Sequence, residues 1–193
     1  CGAGARSLMR DGDTPLIDAV RNGRTADVLA LLADGTDVNE PRASGPGVTA
    51  LYVGCQEGHA KLVTMLLASN ADVNVRVGED VTSLCVACLR GHTAVVAALL
   101  AGNAEVNQVI TCGATALFVA CEEGHVEITT LLISAKANVE HEDTEGTTVL
   151  WTACSEGYVE VVTLLLAAKA DVNHADSDGS TALLAACAEG HAE

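Results

Sequence analysis

The chain of 193 residues is long enough for one packed domain, and 49% of it is apolar, but only four residues are aromatic: Tyr52, Phe118, Trp151 and Tyr158. Ten Lys and Arg stand against 26 acids, a net charge of −16, which excludes the basic face that nucleic-acid phosphates need and disfavours anionic lipid surfaces. No apolar run reaches the ~18 residues of a membrane span, and with so few aromatics, Ala, Val, Leu and Cys must build thin repeated layers rather than one deep core.

Residues 1–13 read as an N-terminal flank or the end of a preceding unit, and an opening Cys1 rather than Met points to processing or a fragment. From Thr14 onward one unit is written six times. Its starts are Thr14, Thr49, Thr82, Thr115, Thr148 and Thr181, spaced by 33 residues except for a first interval of 35. The two extra residues fall in 41–47, the one stretch dense in Pro, Gly and Ser, and therefore a loop.

Within each unit Thr is followed by Leu two residues on, then by a small residue, then by Cys in five of six copies, then by Gly. Leu51, Gly54, Cys55 and Gly58 stand at i, i+3, i+4 and i+7, one face of a short helix. The Thr hydroxyl is its N-cap and the Gly its stop. A second apolar period follows, as in Val63, Leu66, Leu67 and Val96, Leu99, Leu100. It ends at Gly35, Asn70, Asn103, Lys136 and Lys169, where Lys suits a left-handed turn less well than Gly or Asn. Ala71-Asp72-Val73-Asn74 and its counterparts then lead into a connection of about seven residues. Helices this short need stacked neighbours for stability, the logic of a solenoid.

Thr-Pro-Leu-x-x-Ala, Gly-His, an aliphatic pair, Leu-Leu and Asp-Val-Asn at a 33-residue period resemble the ankyrin repeat, over residues 14–193. The resemblance implies an all-α repeat solenoid of helix-turn-helix units joined by β-turn or hairpin fingers. Pro survives only as Pro15. The family's His after Leu is replaced by Ile17, Tyr52, Cys85, Phe118, Trp151 and Leu184, which exchanges side-chain bonding in that turn for packing.

Chemistry finds little support in the motifs. Cys55, Cys88, Cys121, Cys154 and Cys187 occupy one core-facing position and read as small buried hydrophobes, in keeping with a reducing intracellular compartment, the cytoplasm first. Cys and His recur four apart, as in Cys55/His59, but two ligands per unit make no tetrahedral metal site, and Tyr158 takes the His slot in one copy. Cys85-Val86-Ala87-Cys88 is a CxxC at a helix start, where a thiolate would be stabilised, with Cys112 as the one plausible third thiol. Redox motifs of that kind belong to a βαβ setting that this chain lacks. No phosphate loop, nucleophile elbow or zincin motif is present, and Glu122-Glu123 reads as a solvated face, so no catalysis and no cofactor are expected.

By resemblance, such domains hold other proteins on the finger tips and on the exposed side of the first helices. On this chain the helix-side positions include Arg21-Asn22, Gln56-Glu57, Leu89-Arg90, Glu122-Glu123 and Ser155-Glu156. Residues 1–96 carry 8 bases and 11 acids, and residues 97–193 carry 2 and 15, so the field strengthens toward the C-terminus. Two fingers bear apolar residues, Val75-Arg76-Val77 and Gln108-Val109-Ile110. The expected site is therefore Val75, Arg76, Val77, Arg90, Val109, Ile110, Glu122, Glu123 and Glu156, meeting a protein that presents an apolar anchor beside basic residues. The bland alternative is that these β-branched residues merely support finger pairing. The other functional readings are a structural subunit of a large assembly and the recognition arm of a longer enzyme or channel. The sixth unit stops at His191-Ala192-Glu193, before a second helix. Either more chain or a capping partner is expected there.

Overall fold

The computed structural model describes residues 12–43, 47–78 and 80–191. The flank expected over 1–13 and the loop expected over 41–47 thus lie partly outside the described residues. Among the described residues eleven helices form five successive pairs followed by one single helix: α1 (Pro15–Arg21) with α2 (Thr25–Ala33), α3 (Ala50–Gln56) with α4 (Ala60–Ala68), α5 (Ser83–Leu89) with α6 (Thr93–Ala101), α7 (Ala116–Glu122) with α8 (Val126–Ser134), α9 (Val149–Ser155) with α10 (Val159–Ala167), then α11 (Ala182–Glu189). First helices pack on first helices, α1 on α3 through to α9 on α11. Second helices form their own row, α4, α6, α8 and α10. Two stacked rows are the solenoid that the spacing implies.

Each first helix starts at its Thr. The hydroxyls of Thr14, Thr49, Thr82, Thr115, Thr148 and Thr181 accept from the backbone N–H three residues on, at 3.1–3.4 Å, satisfying one orphan donor per helix. The pair turns at a left-handed Gly, and the aromatic or imidazole ring of the next unit closes over that Gly. A Cβ on Gly58 would lie 2.7 Å from the ring of His92, and one on Gly124 would lie 2.9 Å from that of Tyr158. Tyr158 covers Gly124 as the His rings cover their glycines, so either flat ring can close this turn. The second helices stop in left-handed geometry at Gly35, Asn70, Asn103, Lys136 and Lys169 alike, so both Lys positions carry strain that Gly would not.

Adjacent units are also tied outside the helices. Asn107 accepts from the Asn138 N–H at 2.8 Å and donates to the Lys136 carbonyl at 3.3 Å; Asn39 makes the same two bonds to Asp72 and Asn70, and Asn74 accepts from the Glu105 N–H. The fingers are short. β1 (Arg76–Val77) pairs antiparallel with β2 (Val81–Thr82), and two further fingers close through the single bridges Glu142–Thr148 and Ala175–Thr181. Arg42 donates to the Val48 carbonyl across the first finger, so the two extra residues are accommodated between them. The core is aliphatic, with Leu51, Leu66, Leu99, Leu117, Leu132 and Leu165 all buried. The position that lacks the family's His holds packed side chains at Ile17, Cys85 and Phe118.

Candidate functional site

The acidic fingers explain the apolar ones. Asp143 Oδ1 accepts from the N–H groups of Glu145 and Thr147, both at 2.9 Å, and Asp176 does the same for Asp178 and Ser180. These carboxylates face inward and hold the turn. Val77 and Ile110 stand 33 or 66 residues before them, in the same place. Val77 is 5% exposed and Ile110 half-buried. The expectation of Val77 at a solvent tip is therefore corrected: it packs within the finger where other units place a turn-forming Asp. Val75 is half-buried as well, leaving Val109 at 39% exposure and Arg76 as the outward residues. Arg76 reaches the Asp80 carboxylate at 3.4 Å and the Val109 carbonyl at 3.5 Å, linking the two fingers.

Along the first-helix row, Arg90, Glu122, Glu123 and Glu156 are all exposed at the helix ends. Partial burial first, then the charges of Glu123 and Glu156, hold the Glu122 carboxyl above its ordinary value of 4.5. The three acids thus form one local field across α7 and α9. Leu89, 47% exposed at the end of α5, lies one helix along the row from them. The row is not uniformly available. Arg21 is held by Asp13 at 3.0 Å and by Glu57 at 3.4 Å, so it is already neutralised by its own chain.

The cysteine position behaves in two ways. Cys55, Cys88 and Cys121 are buried; Cys154 is half-buried and Cys187 exposed, so the core-facing expectation fails at the C-terminal end. Burial pushes the Cys55 and Cys121 thiols up to about 12 and raises those of Cys85 and Cys88 as well. The helix start does not stabilise a Cys85 thiolate, because loss of solvent outweighs the Thr82 hydrogen bonds. The His rings turn back to the preceding unit, where Nε2 of His92 meets the Gln56 carbonyl at 3.2 Å and that of His59 the Arg21 carbonyl at 3.3 Å. Among the described residues no cluster of three His, Cys, Asp or Glu is placed to hold a metal ion, and no helix is long and apolar enough to cross a membrane.

Two features escaped the sequence reading. Leu89 was a row position without a role, and it is an exposed apolar side chain one helix along from the acids. Asp18, 3% exposed, sits where the next three units carry Val53, Val86 and Val119, and it is satisfied by Asn22 and by Arg24 at 2.5 Å. An acid in an apolar column followed six residues later by a base, in place of His, was the available signal. The apolar face on α10 and α11, where Leu166 and Leu183 are 44% and 71% exposed, lies where the sequence led cover to be expected from more chain or a partner. No curated protein matches the chain. A family model for ankyrin repeats matches in three copies, over residues 1–77, 77–143 and 135–193. With caps, ring-covered turns and two helical rows in agreement with that match, the chain belongs to the ankyrin-repeat family.

Proposed function

We propose that the chain is a non-catalytic protein-binding module of six repeats, starting at Thr14, Thr49, Thr82, Thr115, Thr148 and Thr181. Its contact surface is Leu89, Arg90, Glu122, Glu123 and Glu156 on the first-helix row, with Arg76 and Val109 on the fingers. Ankyrin repeats are in general protein–protein interaction modules, which supports the class of function. The observation that carries the surface is the exposed Leu89 one helix along the row from Glu122, whose carboxyl is held above its ordinary value by partial burial and by the charges of Glu123 and Glu156. A partner inserting an apolar side chain over Leu89 and presenting Lys or Arg to Glu122, Glu123 and Glu156 would relieve that repulsion. The buried thiols of Cys55, Cys88 and Cys121 suit a reducing intracellular setting for this binding.

The test uses a partner isolated with the native chain. Leu89→Asp, Val109→Asp and the pair Glu122→Lys with Glu123→Lys change exposed side chains, so circular dichroism should be unaltered. Each should weaken binding by about tenfold or more, on the order of 1.4 kcal/mol. The charge-reversed pair should also lose the salt dependence of association. Unchanged affinity in all three variants would overturn the surface.

A further inference from the structure

Two depressions lie between complete helix pairs, along the ledge where each pair turns at its glycine. One, of about 360 Å³, is lined by Gly91 and Thr93 of the third unit and by Gly124, His125, Val126 and Glu127 of the fourth. The next, of about 330 Å³, is lined by Gly124 and Val126 and by Gly157, Tyr158 and Glu160 of the fifth unit. They are the same place one unit apart, with Val126 in the wall of both and one exposed Glu on each rim. The first three units hold Ala26, Lys61 and Ala94 at that rim position, so the acidic rim begins at Glu127.

The first depression offers acceptors. Thr93 donates its hydroxyl to Glu127 at 3.5 Å, which leaves the hydroxyl oxygen and most of the carboxylate open. Nε2 of His125 is buried without a hydrogen-bond partner, whereas those of His59, His92 and His191 each meet a carbonyl of the preceding unit. With the ring proton on Nδ1, that nitrogen is an unfilled acceptor. Among the described residues neither Glu127 nor Glu160 is paired with a base. A carboxylate, a hydroxyl oxygen and an imidazole nitrogen together match an ammonium group, which has three N–H to give and accepts nothing. Spacing defines the rest of the occupant. Stacked helices stand about 8–10 Å apart, and three residues of a polyproline II segment advance about 9 Å and return to the same face. We infer that the two depressions hold two lysines, three residues apart, of a partner segment in the polyproline II form. One ammonium meets Glu127, with the His125 ring tilting to accept from it, and the other meets Glu160, while the lysine stems lie over Val126 and Tyr158. The inference rests on the reading of the chain as a protein-binding module, and it names a segment bound on the ledge rather than on the Leu89 side of the first-helix row.

The probe is a fluorescent peptide carrying Lys-Pro-Pro-Lys between Gly and Ser, titrated with the full chain at low ionic strength. Its isomer with Lys-Lys-Pro-Pro has the same charge and composition but the wrong spacing. Anisotropy should saturate at one peptide per chain, with the spaced peptide bound about fivefold more tightly than the isomer. Glu127→Gln and Glu160→Gln, both at exposed positions, should each weaken the spaced peptide about fivefold and remove its advantage over the isomer. Glu105→Gln removes the same charge at an exposed position off the ledge and should leave the affinity unchanged. His125→Phe keeps a flat ring over Gly91 without the nitrogen, and it should weaken the spaced peptide while circular dichroism stays unaltered. Absence of saturable binding, equal affinity for the two peptides, or an equal loss in Glu105→Gln would overturn the inference, the last two because net charge rather than the pair of depressions would then hold the peptide. Leu89→Asp should leave peptide binding intact. If the peptide fails to bind while Leu89→Asp still weakens a native partner, the ledge falls and the first-helix surface stands.

Discussion

Gly91 and Gly179 share a left-handed backbone, with φ of 70° and 79°, but differ in what stands beside them. A Cβ on Gly91 would lie 2.8 Å from the His125 ring, whereas Gly179 has nothing within 4 Å. Gly179→Ala should thus cost only the backbone strain, about 1–2 kcal/mol, and Gly91→Ala should cost that plus the displacement of a ring that joins two units. Thermal midpoints separate the two: for a chain of this size each kcal/mol is worth about 2–4 °C, and equal losses would refute the ring-over-glycine account. The converse holds at Lys136 and Lys169, whose φ values are 68° and 71°. Gly there relieves strain of about 1–2 kcal/mol and adds somewhat less in chain entropy, so each variant should gain about 0.5 kcal/mol in denaturant unfolding. Glu122 gives the pH-dependent case. Its carboxyl is raised in the folded chain, so it binds protons more tightly there than when unfolded, and its contribution is lost as pH rises through the folded value. Glu122→Gln should therefore raise the melting temperature at about pH 7, with the gain shrinking toward zero at about pH 4, below the ordinary carboxylate value. A gain independent of pH would mean that the cost of ionising Glu122, from partial burial first and from Glu123 and Glu156 second, is not its source.

Helices of seven and nine residues are marginal alone, and caps and turns decide where each begins and ends. Thr115→Ala should cost about 1 kcal/mol in equilibrium unfolding, and Thr115→Ser almost nothing, because Ser retains the oxygen that accepts from Phe118. An equal loss in both variants would point to packing of the Thr methyl instead. At this scale the sequence was most legible. The Thr start, the Leu-small-Cys face, the Gly stop and the Val-Leu-Leu period all operate within one unit, so a single copy displays them. What a single copy cannot display is burial that depends on its neighbours. Val77 and Val109 look alike as finger residues, and only the comparison with Asp143 and Asp176 shows that Val77 fills the inward place. Cys121 and Cys187 occupy equivalent positions, and the first is buried because α9 and α8 lie over α7 while the second faces the uncovered end. Asp18 and Arg24 break two columns of the pattern at once, and each makes sense only beside the other. Leu89 likewise was visible as a position but not as an exposed anchor, since the size of the side chains around it sets its exposure.

A stack in which each unit touches only its neighbours distributes stability unevenly, because an inner unit is supported on two sides and a terminal one on a single side. Leu99, fully buried in α6, should cost about 2–5 kcal/mol when cut to Ala, whereas Leu184, 55% exposed in α11, should cost less than about 0.5 kcal/mol. Charge acts along the same axis. Of the 26 acids, 15 lie in residues 97–193 with only Lys136 and Lys169 to offset them, so self-repulsion is strongest where the stack has least support. Hydrogen exchange of the free chain should accordingly be fastest at α11 and slowest at α5 and α7. Added salt screens the repulsion between exposed acids, and it should slow exchange at α11 more than at α5, since α5 sits in the half with nearly balanced charge. Leu183→Lys would lower the local negative charge without covering the apolar face of α10 and α11, and it should reproduce part of the salt effect at α11 while leaving the exchange of α5 unchanged. If salt slows both helices by the same factor, charge acts on the molecule as a whole rather than on its uncovered end, and fraying of α11 must then be assigned to missing apolar cover alone.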